Sequence, residues 1–242
     1  MKIRNNIPNA ITLMNLAAGC MAVTEIIYGR TDIAALWIFA AAIFDFFDGF
    51  AARLLKAQSP IGKDLDSLSD MVSFGLAPGM LLFVQIRMMM PQEAFFLKSI
   101  LPYCALLIPL SAGVRLAIFN HDKQQSDKFI GLPTPAVGLF IASLLAPSGV
   151  ALQIFDSIAY QWFFTPRNLA IIAVLLAWLM NARFVLFALK FKGFGWQKNK
   201  IRYIFIAFGI LMVVLFQAAG IAIILPAYIM VSMVMNHWKL DS

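Results

Sequence analysis

The chain has 242 residues, 62% of them hydrophobic and 13% charged, where a soluble domain carries roughly 25% charged residues. A mean hydropathy of +0.83 over the whole length leaves too little polar surface to wrap a soluble core. It also excludes a disordered or nucleic-acid-binding chain, in spite of the net charge of +7. The composition is that of an integral membrane protein, an all-α polytopic helical bundle built as one domain over residues 1–242.

Apolar runs predict eight helices. The first covers Asn9–Tyr28. Lys2 and Arg4 before a run ending Leu16-Ala17-Ala18-Gly19-Cys20 give it the outline of a secretory leader. Asn9, Thr12 and Asn15 fall three apart within it, however, and that polar stripe suits a helix lining a polar cavity. The next three helices are expected at Asp32–Leu55, Asp64–Met90 and Leu97–Phe119, with Asp64 as an N-cap. A fifth runs from Leu132 to Phe155, shaped at its start by Pro133 and Pro135 and interrupted at Pro147-Ser148-Gly149. The sixth covers Asn168–Leu189, and the last two are Ile201–Ala218 and Ile221–Trp238. Little more than Gly220 separates those two. Joined end to end they would be roughly 50 Å long at 1.5 Å per residue, so a tight hairpin is predicted.

Small residues at Ala34-Ala35 and Ala40-Ala41-Ala42 suggest close helix packing. Cys20 and Cys104 lie in apolar runs without a nearby histidine, which suits buried small side chains and neither a disulfide nor a zinc site. His121 and His237 stand alone among polar residues as solvated helix ends.

The Lys and Arg residues set the orientation. Lys2, Arg4, Arg53, Lys56, Lys63, Lys123, Lys128, Lys239 and the Lys-rich stretch from Lys190 to Arg202 fall on one side. Arg30, Arg87, Lys98 and Arg167 fall on the other. By the positive-inside rule both termini are cytoplasmic. The Lys-rich stretch then sets topology and meets anionic lipid heads rather than nucleotide.

Of the twelve acids in the chain, Asp45, Asp48, Asp64, Asp66 and Asp70 share one stretch. Asp45 lies deep in its helix, where an ionised carboxylate needs a partner, a metal or a water-filled cavity. Asp45 and Asp48 are at i, i+3, and Asp66 and Asp70 at i, i+4, so each pair projects from one face. Two such faces turned together would converge four carboxylates, whose mutual repulsion calls for cations between them. Hard oxygen donors without Cys or His select Mg²⁺ or Mn²⁺, and two such ions clamp a phosphate in an in-line displacement. Gly49 and Ala52 clear a groove in which a ring or a phosphate could approach the backbone. Arg53 could grip a phosphate oxygen and Ser59 could donate another hydrogen bond. The plainer reading is an Asp48–Arg53 ion pair beside a proton path, which leaves the excess acid unbalanced.

The run Asp45-x2-Asp48-Gly49-x2-Ala52-Arg53-x8-Gly62-x3-Asp66-x3-Asp70 resembles the signature of the CDP-alcohol phosphotransferases at every fixed position. Three further segments resemble the branch of that family with serine as acceptor. They are Pro8-Asn9-x2-Thr12-x2-Asn15-x3-Gly19, the stretch from Leu65 to Pro78, and Gly131-Leu132-Pro133-Thr134-Pro135-Ala136. The resembling part spans about residues 8–140, and helices 168–238 carry no recognised motif. The resemblance implies a membrane bundle with a six-helix catalytic core, working as a homodimer on the cytoplasmic side. It implies transfer of a phosphatidyl group from CDP-diacylglycerol to L-serine, with release of CMP. Asp45, Asp48, Asp66 and Asp70 would bind two divalent metal ions, and Asp70 would also be the base. Asn9, Thr12, Gly49, Ala52, Arg53 and Ser59 would lie along the CDP-diacylglycerol. Arg115 is the candidate for the serine carboxylate, although an Arg near a helix end can also snorkel to lipid heads. Asn120 and Thr134 are candidates for further polar contacts to serine, or for helix capping.

One position departs from that branch. Its members usually read Arg-Leu-Ala-Arg/Lys-Phe-Asn, where this chain has Arg115-Leu-Ala-Ile118-Phe119-Asn120. Other acceptors, such as glycerol 3-phosphate or an inositol phosphate, would want additional Arg or Lys beside the aspartates. A different class, a divalent-cation transporter, would spread its acids and unwound helices across the midplane.

Overall fold

The computed structural model describes residues 3–57, 59–90, 100–121, 129–145, 164–186 and 196–240. Helix α1 (Ile3–Ile27) and helix α2 (Thr31–Leu54) are joined by a short turn and pack along their length. Gly29 takes a positive φ of 76° in that turn. Helix α3 (Pro60–Asp70) runs through a π-helical segment (Met71–Leu76) into α4 (Ala77–Met89). Together these three make one apolar span, Pro60–Met89. A 3₁₀ segment (Leu101–Leu106) leads into α5 (Leu107–His121), followed by α6 (Thr134–Leu145) and α7 (Pro166–Asn181). Helices α8 (Trp196–Phe216) and α9 (Ala218–Leu240) close the described chain.

Six helical spans among the described residues are long and apolar enough to cross a membrane, and α6 and α7 are shorter apolar helices. The protein is therefore an all-α polytopic membrane protein. Its outer surface is apolar, as a lipid-facing surface must be: Phe46, Phe47 and Phe50 on α2 and Ile210, Leu211 and Val214 on α8 are all exposed.

Two apolar clusters hold the bundle. One gathers Ala18 and Ala22 of α1, Ala34, Ala35 and Ile38 of α2, and Phe74 of the π segment. The other joins α4, α5, α6 and α7 through Ile86, Ile108, Ile141, Leu169 and Met180. Lipid tails are as apolar as the side chains, so close packing of small residues must supply much of the association. Gly138 of α6 shows the principle, since a Cβ there would stand 2.9 Å from the Phe74 Cα.

Several boundaries differ from expectation. Ser59, in extended conformation, caps α3 by accepting from the Gly62 amide, with Pro60 at the first turn. The helix thus begins before Asp64, which is an exposed interior residue and not the N-cap. The sixth helix stops at Asn181 rather than Leu189, because Ala182 is extended and Val185–Leu186 pairs antiparallel with Phe129–Ile130. Gly131 anchors that small pairing at φ 72°, where a Cβ would meet the Met180 carbonyl oxygen at 2.5 Å. Cys20 is exposed on the outer face of α1 and Cys104 is half-buried, so neither is the enclosed side chain expected. The C-terminal hairpin is tight, as expected, but turns at Gln217 (φ 51°). Phe205 of α8 then meets Tyr228 of α9 with ring centroids 5.7 Å apart. The Pro147-Ser148-Gly149 interruption, the extension to Phe155, and Lys2, Lys98, Lys123, Lys128, Lys190 and Lys192 lie outside the described residues.

Candidate active site

The aspartates come together because two helices, α2 and α3, present them at one level. Asp45 and Asp48 share a face of α2, and Asp66 projects from α3 opposite. One carboxylate oxygen from each of the three lies within 4.8 Å of the others. Asp70 stands one turn further along α3 and is buried, close enough to Asp45 and Asp66 for their charges to act on it. A π turn follows directly. It inserts about one residue per turn, close to 100° of register at 3.6 residues per turn. That shift lets α3 aim Asp66 and Asp70 at α2 while α4 turns Leu81, Leu82 and Ile86 into the apolar clusters.

Helix α1 is fastened to this strip by hydroxyls. Ser69 donates to the Thr12 carbonyl at 3.2 Å and Ser73 to the Asn15 carbonyl at 3.0 Å. Asn15, fully buried, donates from Nδ2 to Asp70 Oδ1 in a long hydrogen bond of 3.5 Å. Thr12 donates to the Pro8 carbonyl at 3.0 Å and lies against Asp48. A hydroxyl has one proton, and Asp48 Oδ2 is left buried without a hydrogen-bond partner.

No described cation neutralises the cluster by contact. Arg53 is exposed and lies back along α2, donating from Nε to the Gly49 carbonyl at 3.0 Å. Lys63 Nζ is bonded to the Asn120 carbonyl at 2.8 Å. Arg115 donates from Nη1 to Thr134 Oγ1 at 3.0 Å, and feels the Asp70 charge without forming an ion pair with it. Three converging carboxylates, one with an orphaned buried oxygen, are a donor set that could hold a divalent cation.

A cavity of about 570 Å³ opens beside the cluster. Asn9 and Thr12 line it from α1, Asp48, Gly49 and Ala52 from α2, and Ser59, Gly62, Lys63 and Asp66 from the start of α3. The small side chains of Gly49, Ala52 and Gly62 keep its floor open. Arg53 sits at the rim and is not among the lining residues. Lys63 was not anticipated from the sequence, where nothing but its place beside Gly62 marks it. Asn15 was visible as part of the polar stripe, but no role followed from spacing alone.

Asn120 is held apart from the cluster. Its Nδ2 donates to Ser67 Oγ at 2.9 Å, and it lines a separate cavity of about 320 Å³ with Asp64 and Ser67. Thr134 is fully buried and engaged with Arg115. Ile118, at the position that departs from the motif, is 53% exposed.

Comparison with known proteins accounts for this arrangement. The family model for CDP-alcohol phosphatidyltransferase matches residues 5–165, which takes in α1 to α6 and every residue of the cluster and cavity. The chain is 37% identical over 140 residues to the CDP-diacylglycerol–serine O-phosphatidyltransferase of Bacillus subtilis, covering 58% of this chain and 75% of that protein. It is 33% identical over 147 residues to the protein of the same name from Mycobacterium leprae, covering 58% and 46%. It is 30% identical over 139 residues to the archaetidylserine synthase of Methanothermobacter thermautotrophicus, covering 57% and 56%. The chain thus spans three quarters of the Bacillus relative and about half of the other two. With the matched region enclosing the aspartates of α2 and α3 and the cavity beside them, the chain belongs to the CDP-alcohol phosphatidyltransferase family.

Proposed function

We propose that the protein transfers the phosphatidyl group of CDP-diacylglycerol to the hydroxyl of L-serine, forming phosphatidylserine and releasing CMP. The observation that carries this reading is the convergence of Asp45, Asp48 and Asp66 beside a cavity floored by Gly49, Ala52 and Gly62. Serine enters from the names of the relatives and from the presence of Arg115 beside Asp70. Family membership removes the transporter reading, since the aspartates then have a reaction to serve.

In this reading the cytidine and its phosphate lie in the cavity, against Asn9 and Thr12 on one wall and Gly49 and Ala52 on the floor. Ser59 keeps its hydroxyl proton while accepting from Gly62, so it can donate to a phosphate oxygen. Arg53, at the rim, needs only to swing from the Gly49 carbonyl to turn its guanidinium into the cavity. Asp45, Asp48, Asp66 and Asp70 would hold two divalent ions, Mg²⁺ or Mn²⁺. When bound, these supply positive charge against the pyrophosphate and the departing CMP.

Asp70 receives the serine hydroxyl proton as the oxygen bonds to the phosphorus bearing the lipid, and the bond from that phosphorus to the CMP oxygen breaks. Asp70 is buried and takes one long hydrogen bond from Asn15, which holds the carboxylate in place. Arg115, held by Thr134, offers its remaining guanidinium donors to the serine carboxylate. Thr134 therefore acts through Arg115, and Asn120 joins α5 to α3 through Ser67 and Lys63. We place this site and both termini on the cytoplasmic side, with two copies of the chain forming a homodimer.

The test is CMP release by the purified full-length protein from CDP-diacylglycerol, with Mg²⁺ or Mn²⁺ and with chelator. L-serine, glycerol 3-phosphate, inositol phosphate and no acceptor are compared. Release that requires both metal and L-serine is the expected result. Release with a different alcohol overturns the acceptor, and release unaffected by chelator overturns the role of the four aspartates.

A further inference from the structure

The carboxylate proposed as base stands between two unmatched buried atoms. Helices α1 and α5 both pack on α3 and the π segment, and each brings one polar side chain toward Asp70. From α1 comes Asn15, 0% exposed, whose Nδ2 is on Asp70 while its Oδ1 has no hydrogen-bond partner. From α5 comes Arg115, whose Nη1 is on Thr134 while its Nε is buried and also without a partner. One orphan is an acceptor lacking a donor and the other a donor lacking an acceptor. Buried groups of this kind are rare in native proteins and call for a reason. An amide oxygen and a guanidinium N–H cannot exchange roles, so a group that satisfies both must present a donor to Asn15 and an acceptor to Arg115.

We propose that Asn15 Oδ1 accepts a hydrogen bond from the ammonium of the acceptor, so that Asn15 and Arg115 together select a zwitterionic α-amino acid whose hydroxyl lies at Asp70. This rests on the serine reading and adds its specificity. An ammonium has donors only and a carboxylate acceptors only, and the two orphans match them one to one. A phosphorylated polyol brings no ammonium to Asn15, and an amino alcohol without a carboxylate leaves Arg115 unmatched. In each case a buried polar group stays unpaired, which is how a site rejects an analogue lacking one hydrogen-bonding group. Asn15 also holds Asp70, and the two roles are separable because they use opposite ends of the amide.

The experiment compares L-serine with 3-hydroxypropanoate, which lacks the ammonium, and ethanolamine, which lacks the carboxylate. CMP release is followed with the full-length protein in lipid or detergent, and inhibition of the L-serine reaction replaces kcat/KM for acceptors that do not turn over. In Asn15→Ala the preference for L-serine over 3-hydroxypropanoate should fall about tenfold or more, chiefly through KM for L-serine, with KM for CDP-diacylglycerol unchanged. Asn15→Ser, which keeps a small acceptor, should recover part of it, and it serves alone if the alanine variant does not fold. Arg115→Gln should instead erase the preference for L-serine over ethanolamine. If Asn15→Ala and Asn15→Ser slow all acceptors equally and leave the preference intact, Asn15 only positions Asp70 and the proposal is overturned. If the unaltered protein releases CMP with some other alcohol and ignores L-serine, the serine reading itself fails, a result distinct from an unchanged preference.

Discussion

Asp70 is set apart from the other signature aspartates by its surroundings. Asp45, Asp48 and Asp66 converge on one point, whereas Asp70 is turned toward Asn15 and lies near Arg115. Exchanging a carboxylate for its amide therefore separates their contributions. Asp70→Asn should lower kcat by about 10²–10⁴-fold, the usual worth of a positioned base, while the protein still binds CDP-diacylglycerol in an equilibrium assay. Turnover within a few-fold of the unaltered protein would remove Asp70 as base. Asp66→Asn should instead weaken Mn²⁺ binding, read by its paramagnetic signal, and cut turnover by at least about 10²-fold, the scale of losing one electrostatic stabiliser. The aspartates were legible in the sequence because i, i+3 and i, i+4 spacings fix a helix face without knowledge of the partner helix. The engagement of Arg115 with Thr134 and of Lys63 with Asn120 was not, because each joins residues from different helices whose approach no local pattern encodes.

The elements that carry the site owe their register to close contacts rather than to apolar bulk. Hydropathy located the helices, since a membrane span must satisfy its backbone internally and be apolar around much of its circumference. It could not reveal the π segment, which depends on Phe74 and Gly75 fitting between α1, α5 and α6. Gly138 is one of those fits in which the nearest neighbouring atom is backbone and cannot yield. Gly138→Val should push α6 away from the π segment, cost about 1–3 kcal/mol as overpacking does, and lower the thermal midpoint in detergent by several degrees. It should also reduce turnover, because the strip bearing Asp66 and Asp70 moves with the π segment. Unaltered stability and activity would mean that the contact with Phe74 does not set the register. The Ser59 cap was likewise hidden, since Asp64 is also a capping residue type and lies just downstream in the same sequence. Pro60 decides in favour of Ser59, because it starts a helix readily and cannot continue one from the preceding turn.

At the scale of the whole molecule, the site lies at one end of the bundle and the α1–α2 turn at the other, which makes orientation the testable quantity. The charge asymmetry is sharper in the folded protein than in the sequence. Arg30, counted on the sparse side, is paired with the buried Glu25 at 2.5 Å and lies over the Tyr28 ring, so it contributes little free positive charge there. Lys63, which lines the cavity, and Lys56, exposed just before it, have by contrast no acidic partner in an ion pair among the described residues. Positive residues retained in the cytoplasm should thus hold the cavity there, within reach of water-soluble L-serine and CMP. Single cysteines introduced at Asp32 and at Lys56, in a chain whose Cys20 and Cys104 are replaced by serine, report the two ends. A membrane-impermeant maleimide added to intact cells should label Asp32→Cys and leave Lys56→Cys unreacted until the membrane is permeabilised. The reverse pattern would put the cavity outside and overturn the assignment of its side, while leaving the aspartate chemistry to be judged by CMP release. Labelling of both in intact cells would show chains inserted in two orientations, as expected only if Arg30 acts as a free charge competing with the cavity side. Asp32→Cys combined with Glu25→Gln decides the point: if Glu25 neutralises Arg30, freeing it should raise the share of inverted chains and lower the labelling at Asp32→Cys, and unchanged labelling would show that Arg30 was already a free charge.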